Sequence, residues 1–259
     1  MKYTVYLFLL LSYSISAQKA IEASLIKKTN FKTDRLVAID NFGTKYFINN
    51  NVFNKKDVTK TITYNNLQLG DITTANVFNP LKITLFYKDF NSVIILDNRL
   101  AEIFKIDFNA LSKYKNASHV ATGHDNTIWI FNQDNQKLEL FDYKTQTTRA
   151  QTVPIQSDVL DLKSNYNFCY LLTKNHFYTY NYFGSLVKKL KNDGYNKIVE
   201  SNGDIILKKN DSLVYFKKNS DTAIPILLPN LLTNTFFVTN ETLYIYANEA
   251  LYEYKIKIN

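Results

Sequence analysis

Five carboxylates, Asp40, Asp71, Asp158, Asp161 and Glu200, recur on or beside short runs of small and β-branched residues. Brought together around a divalent ion, such oxygen ligands suit Ca²⁺ and the chemistry of a lactonase- or hydrolase-like centre. The three histidines, His119, His124 and His176, show no zinc-ligand spacing, since tetrahedral sites combine closely spaced His pairs or Cys clusters with a further ligand. His119 is the best single histidine for chemistry at the centre of the fold; its plainer reading is a hydrogen-bonded strand residue. The chain has no G-x-S-x-G elbow, phosphate-binding loop or G-x-G-x-x-G. Cys169, the sole cysteine, stands in N-F-C-Y-L-L, where a thiol behaves as a small core residue and no disulfide can form. These residues assign no catalytic group, no cofactor and no metal.

Something regular must position them, and the chain supplies a repeat. The stretch 125–148 holds a polar turn, an apolar strand at 127–131, a second turn on Asp134-Asn135, and an alternating strand in which Leu138 and Leu140 share a face. Apolar segments of the same kind stand at 43–48, 81–87, 168–172, 204–208 and 242–246. A short segment of small or β-branched residues precedes each, at 36–40, 72–76, 119–122, 159–162, 197–200 and 236–239. Third strands follow at 92–96, 176–180, 213–216 and 250–254, and fourth strands at 101–108 and 185–190. Six units of four antiparallel strands are the pattern of β-propeller blades, whose innermost strands converge on a central channel where bulky side chains would collide. Gly (6) and Pro (4) are scarce, so the turns fall to Asn and Asp, which tolerate left-handed backbone and bond their own main chain.

With D-N-T-I-W-I-F and L-x-L-F-D as its recurring motifs, the chain resembles secreted six-bladed β-propellers of the NHL, TolB and YWTD type over nearly all of residues 18–259. That resemblance implies an all-β fold of four-stranded antiparallel blades. Sialidase-like propellers carry repeated Asp boxes, and the nearest stretch here, T-G-H-D-N-T-I-W (122–129), has its Asp displaced, lacks the central Gly and occurs once. The last unit stops one strand short, while residues 20–29 form a strand-like segment with no unit of its own. Pairing the two would close the ring and cover an exposed edge, so this segment is expected as the outermost strand of the last blade.

Residues 1–17 read as a signal peptide cleaved after Ala17, with an apolar run too short to span a bilayer. This leaves 18–259 as one domain, exported to the periplasm, the outer-membrane surface or beyond, with no transmembrane span and monomeric by itself. No Cys follows the apolar run to carry a lipid. The formal charge of +8 is spread as pairs such as Lys27-Lys28 and Lys208-Lys209, with one denser group at Lys188, Lys189 and Lys191. Scattered in this way, the lysines read as solvated strand edges, and export argues against nucleic acid.

The clearest departure from the repeat lies in the second unit. Second-to-third-strand turns are polar elsewhere, but here the turn is Y-K-D-F-N-S, after the connection N-P-L-K. The expected binding residues are therefore Asn79, Lys82, Tyr87, Lys88, Asp89, Phe90 and Asn91, with Phe90 as an exposed aromatic at a hairpin tip. The function expected is that of a non-enzymatic scaffold docking a protein partner of the cell envelope, with the carboxylate-metal enzyme as the alternative.

Overall fold

The computed structural model describes residues 20–229, 233, 235–239 and 241–257. The expected signal peptide lies outside the described residues. A first strand, β1 (Ile21–Asn30), precedes the repeats. The first unit is β2 (Arg35–Ile39), β3 (Lys45–Asn49), β4 (Val52–Lys56) and β5 (Thr61–Tyr64). The second is β6 (Thr74–Asn76), β7 (Ile83–Tyr87), β8 (Ser92–Leu96) and β9 (Glu102–Asp107), and the third β10 (Ala117–Thr122), β11 (Thr127–Asn132), β12 (Lys137–Asp142) and β13 (Thr147–Gln151). The fourth is β14 (Val159–Ser164), β15 (Phe168–Thr173), β16 (His176–Asn181) and β17 (Leu186–Lys191). Then come β18 (Lys197–Ser201), β19 (Asp204–Lys209), β20 (Ser212–Phe216) and β21 (Ala223–Leu227), and finally β22 (Thr235–Thr239), β23 (Thr242–Ala247) and β24 (Ala250–Ile256). No helix among the described residues is long and apolar enough to cross a membrane.

The first four units are separate four-stranded antiparallel sheets. The remaining strands form one eight-stranded sheet in the order β18-β19-β20-β21-β1-β24-β23-β22. β1 explains the merger. It pairs antiparallel with β24 from Ala23↔Ile256 to Asn30↔Ala250, as the closure argument requires, and its first residues also pair in parallel with β21 through Ile21↔Ile226 and Glu22↔Leu227. The expectation of six separate blades is thus corrected to four separate sheets and one double sheet, because a strand long enough to cover one edge reaches the next.

Burial follows strand position. β7, β8 and β11 are buried at every residue, whereas the outer strands β13 and β17 alternate between exposed and half-buried positions. A sheet stacked between two others hides both faces of its central strands, so these read as continuous apolar runs. The two-residue period divides them between neighbours. Leu85 packs with Tyr46 and Phe53 of the first sheet, while Phe86 packs with Ile128 and Phe141 of the third. Likewise Ile128 and Ile130 face backward, and Trp129 faces Leu171 and Tyr180 ahead. The hydrophobic core is therefore a series of layers between sheets. Turn chemistry is as the composition implies: Asn50, Asn51, Asn91, Asp125, Asn202, Asn210, Asn219 and Asn248 all hold positive φ. Side-chain oxygens of Asp40, Asn79, Asp97 and Asn181 each accept the N–H two residues on.

Candidate functional site

Antiparallel units give the molecule two rims. One, here the crossover rim, carries the connections between units together with the second-to-third-strand hairpins; the opposite rim carries the first-to-second and third-to-fourth connections. This arrangement splits the expected patch. Asn79 and Lys82 precede β7 on the opposite rim, and Lys88, Asp89, Phe90 and Asn91 follow it on the crossover rim. At about 3.3 Å per residue, the five residues of β7 hold the two groups roughly 16 Å apart.

Three of the seven residues are structural. Lys82 is buried, and its Nζ donates to the carbonyls of Gly123 (3.2 Å), Asp125 (2.8 Å) and Thr127 (2.6 Å), tying the second sheet to the third. Burial pushes its ammonium down to about 8, against the opposing pull of Asp125 and Asp142. Tyr87 is fully buried on β7. Asn91 holds φ at 46° and clamps the crossover, with Nδ2 donating to Lys115 O at 2.7 Å and Oδ1 accepting from Ala117 N at 3.1 Å. Each of these three meets the backbone or core of an adjoining element. Lys88, Asp89 and Phe90 remain exposed. Phe90, 48% exposed, lays its ring over Gly70: a Cβ there would sit 3.1 Å from Phe90 Cε2. An aromatic at a hairpin tip finds partial cover on a neighbouring connection that has no side chain.

The inner strands enclose a channel of about 900 Å³, lined by β2, β6, β14, β18 and β22. The five carboxylates do not converge in it. Among the described residues, no three His, Cys, Asp or Glu side chains form a group that could hold a metal ion. Each has local work or faces solvent. Asp40 Oδ1 accepts from Phe42 N and Thr44 N, both at 2.9 Å, and Oδ2 from Tyr46 Oη at 3.2 Å. Asp71 is exposed, and the exposed Asp158 pairs with Lys174 at 2.6 Å. Asp161 accepts from Ile198 N through Oδ2 and from Leu162 N through Oδ1. Glu200 Oε1 accepts from Asn165 Nδ2 and Gly203 N, both at 2.8 Å, and burial pushes its carboxyl above the usual range despite those donors.

His119 Nδ1 lies 3.0 Å from Ser118 Oγ. Burial holds its imidazole below the ordinary value, with Lys88 and Lys163 adding to the effect and Asp161 opposing it. Cys169 is completely buried, and burial pushes its thiol well up, as a core residue requires. Two features were missed in the sequence. Cations stand in the channel wall: Arg35 opens β2, Lys197 opens β18, and Lys163 lies on β14. Large apolar side chains crowd the opposite rim: Phe42 is 89% exposed, Leu81 66%, Phe183 67% and Tyr166 57%, with the Tyr166 ring 4.7 Å from that of Phe78. The signal for both lay in the connections and strand ends, where a residue's neighbours come from other units.

No protein-family model matches the chain, and no curated protein matches it. Solved structures do. A catalytically inactive virginiamycin B lyase from Staphylococcus aureus, solved with quinupristin, superposes with a TM-score of 0.59 at 10% identity, over 88% of this chain and 98% of that one. The likeness is one of fold. A chain of the mitotic checkpoint complex gives a TM-score of 0.61 at 13% identity, over 86% of this chain and 74% of that one. The Neurospora crassa Pan2 WD40 domain gives 0.59 at 10% identity, over 92% and 83%. The chain is an all-β propeller of four-stranded antiparallel sheets, a fold that carries enzymes and interaction modules alike.

Proposed function

We propose that this protein is an exported, non-enzymatic propeller that docks a protein of the cell envelope, with the double sheet counting as two blades of a six-bladed ring. One observation carries the reading: Phe42, Leu81, Tyr166 and Phe183 stand more than half exposed on a single rim. Exposed large apolar side chains gathered on one face mark interaction surfaces, and aromatic anchors dominate binding energy where a partner excludes water. The carboxylates that a metal enzyme would use are engaged by the fold or face solvent, as described above. The docking surface accordingly moves from the hairpin at Phe90, half covered by Gly70, to the opposite rim.

The test is crosslinked affinity purification of the tagged protein from envelope fractions. A stoichiometric partner is expected, lost in the double variant Phe42→Ser, Phe183→Ser and kept in Phe90→Ala. Loss in Phe90→Ala alone would return the docking surface to Lys88, Asp89 and Phe90. Absence of any stoichiometric partner would overturn the scaffold reading.

A further inference from the structure

We infer that the central channel binds a small oxyanion, a carboxylate- or phosphate-bearing molecule, with its negative group held by Lys197 and with Lys163 and Arg35 alongside. The volume, about 900 Å³, is that of a small-molecule site. Lys197 is half-buried in the channel wall, and among the described residues its ammonium has no ion-pair or hydrogen-bond partner. Arg35 is fixed in place by neutral groups, its Nη atoms donating to Ile72 O at 2.5 Å and Thr73 O at 2.7 Å, so its charge is oriented but not balanced. Lys163 stands 3.7 Å from Asp161, whose two oxygens already accept backbone N–H groups.

Of the carboxylates in the channel wall, Asp40, Asp57, Asp161 and Glu200, only Asp161 stands within 4 Å of one of these three cations. Half-buried charge such as that of Lys163 and Lys197 is costly unless paired, and a concave wall carrying unpaired positive groups, with the exposed Arg35 beside them, concentrates anions. The electrostatic surroundings agree: burial holds the Lys197 ammonium below its ordinary value, and Lys163, Lys208 and Arg35 push the same way against Asp161 alone. The other channel carboxylates are displaced along the fold. Asp40 follows the end of β2 and serves its turn, and Glu200 sits three residues beyond Lys197 with its donors already in place. Residues Val37, Ala38 and Ala75 of the inner strands keep the lumen open enough to admit such a ligand.

Titration calorimetry of the purified protein at low ionic strength, with sodium phosphate and sodium glucuronate as separate probes, tests the site. Saturable binding of at least one probe is expected, weakened about tenfold or more in Lys197→Met and Lys197→Gln, and weakened by added sodium chloride. Asp161→Asn, which removes the competing carboxylate and keeps an acceptor for Ile198 N, should bind the same probe more tightly. Phosphate binding without glucuronate binding would make the ligand a phosphate or its ester, and the reverse a carboxylated sugar. Failure of both probes to bind, or equal binding by wild type and a folded Lys197 variant, would overturn the proposal. The two substitutions at one position guard against a single misfolded variant.

Discussion

Lys115 and Glu139 form the most deeply buried ion pair among the described residues, with side chains 10% and 2% exposed. Asn132 and Asn135 also donate to Glu139 Oε1, at 3.1 and 2.9 Å. Burial alone would raise this carboxyl, but Lys115 and the two amides outweigh it and hold it below the usual range. The folded state therefore binds fewer protons than the unfolded one near the ordinary carboxylate pKa. Its stabilisation is present above that value and is lost as pH falls through the folded one. Glu139→Gln strands Lys115, so it should cost about 3 to 5 kcal/mol at pH 7 and flatten the acid limb of a denaturation series. Lys82 offers a second case. Lys82→Met removes the ammonium shared by three carbonyls, of which Thr127 O keeps the Gly123 N–H, and should cost about 2 kcal/mol. With the ammonium pushed down to about 8 from 10.5, the unfolded state binds more protons between those values. The stability difference between wild type and Lys82→Met should then shift in favour of wild type as pH rises from 8 to 10, a trend that urea titrations at each pH would reveal. No change with pH would mean the three carbonyls keep the lysine charged.

The element that decides the architecture is β1. Seven register pairs join it to β24, with a bulge between Leu25 and Lys27, and two more join it to β21. It covers the outer edges of two units at once, so its removal exposes two rows of unpaired backbone groups. Deleting residues 20–29 should lower the melting temperature by more than about 10 °C or cause aggregation; an unchanged melting temperature would sink the closure role. The β7–β8 hairpin makes a contrast. Phe90→Ala removes a half-exposed ring and should change stability by less than about 1 kcal/mol, whereas Asn91→Ala loses the clamp on the crossover and a favourable residue at positive φ, and should cost about 2 kcal/mol in the same denaturation assay.

At the scale of the whole molecule, the layered core makes each sheet depend on its two neighbours, so truncation anywhere in the ring should reduce cooperativity throughout. The same stacking fixes two rims, and both expose apolar side chains, Leu67, Tyr114 and Val153 on the crossover rim among them. The crossover rim is knitted by polar clamps such as Asn91 and by Asn192, whose Nδ2 donates to Thr173 O and Tyr195 O. The opposite rim presents Phe42, Leu81, Tyr166 and Phe183 to solvent. Substituting Phe42 and Phe183 by Ser should therefore leave the unfolding transition nearly unchanged while abolishing partner capture, because neither side chain contributes to the core layers. A loss of stability in that double variant would mark the rim as structural.

The amino-acid sequence by itself determined the strands, their four-membered units, the Asn- and Asp-built turns and the closing role of the N-terminal strand. Each rests on a local rule: a two-residue period, a continuous apolar run for a strand buried on both faces, or a side chain suited to left-handed backbone. Tertiary structure alone decided which rim a residue occupies and what it touches there. Lys82 and Asn79 read as neighbours of Phe90 along the chain, yet a strand length separates them, and Lys82 belongs to the turn 41 to 45 residues further on. The carboxylates fell at matching positions in successive units, but Asp40, Asp161 and Glu200 are each engaged by donors of their own turns and neighbouring strands, and Asp71 and Asp158 face solvent, so no metal-binding group forms among the described residues. The unbalanced cations Arg35, Lys163 and Lys197 became visible only when the ring brought three units to one channel, because charge balance is a property of space and not of sequence spacing.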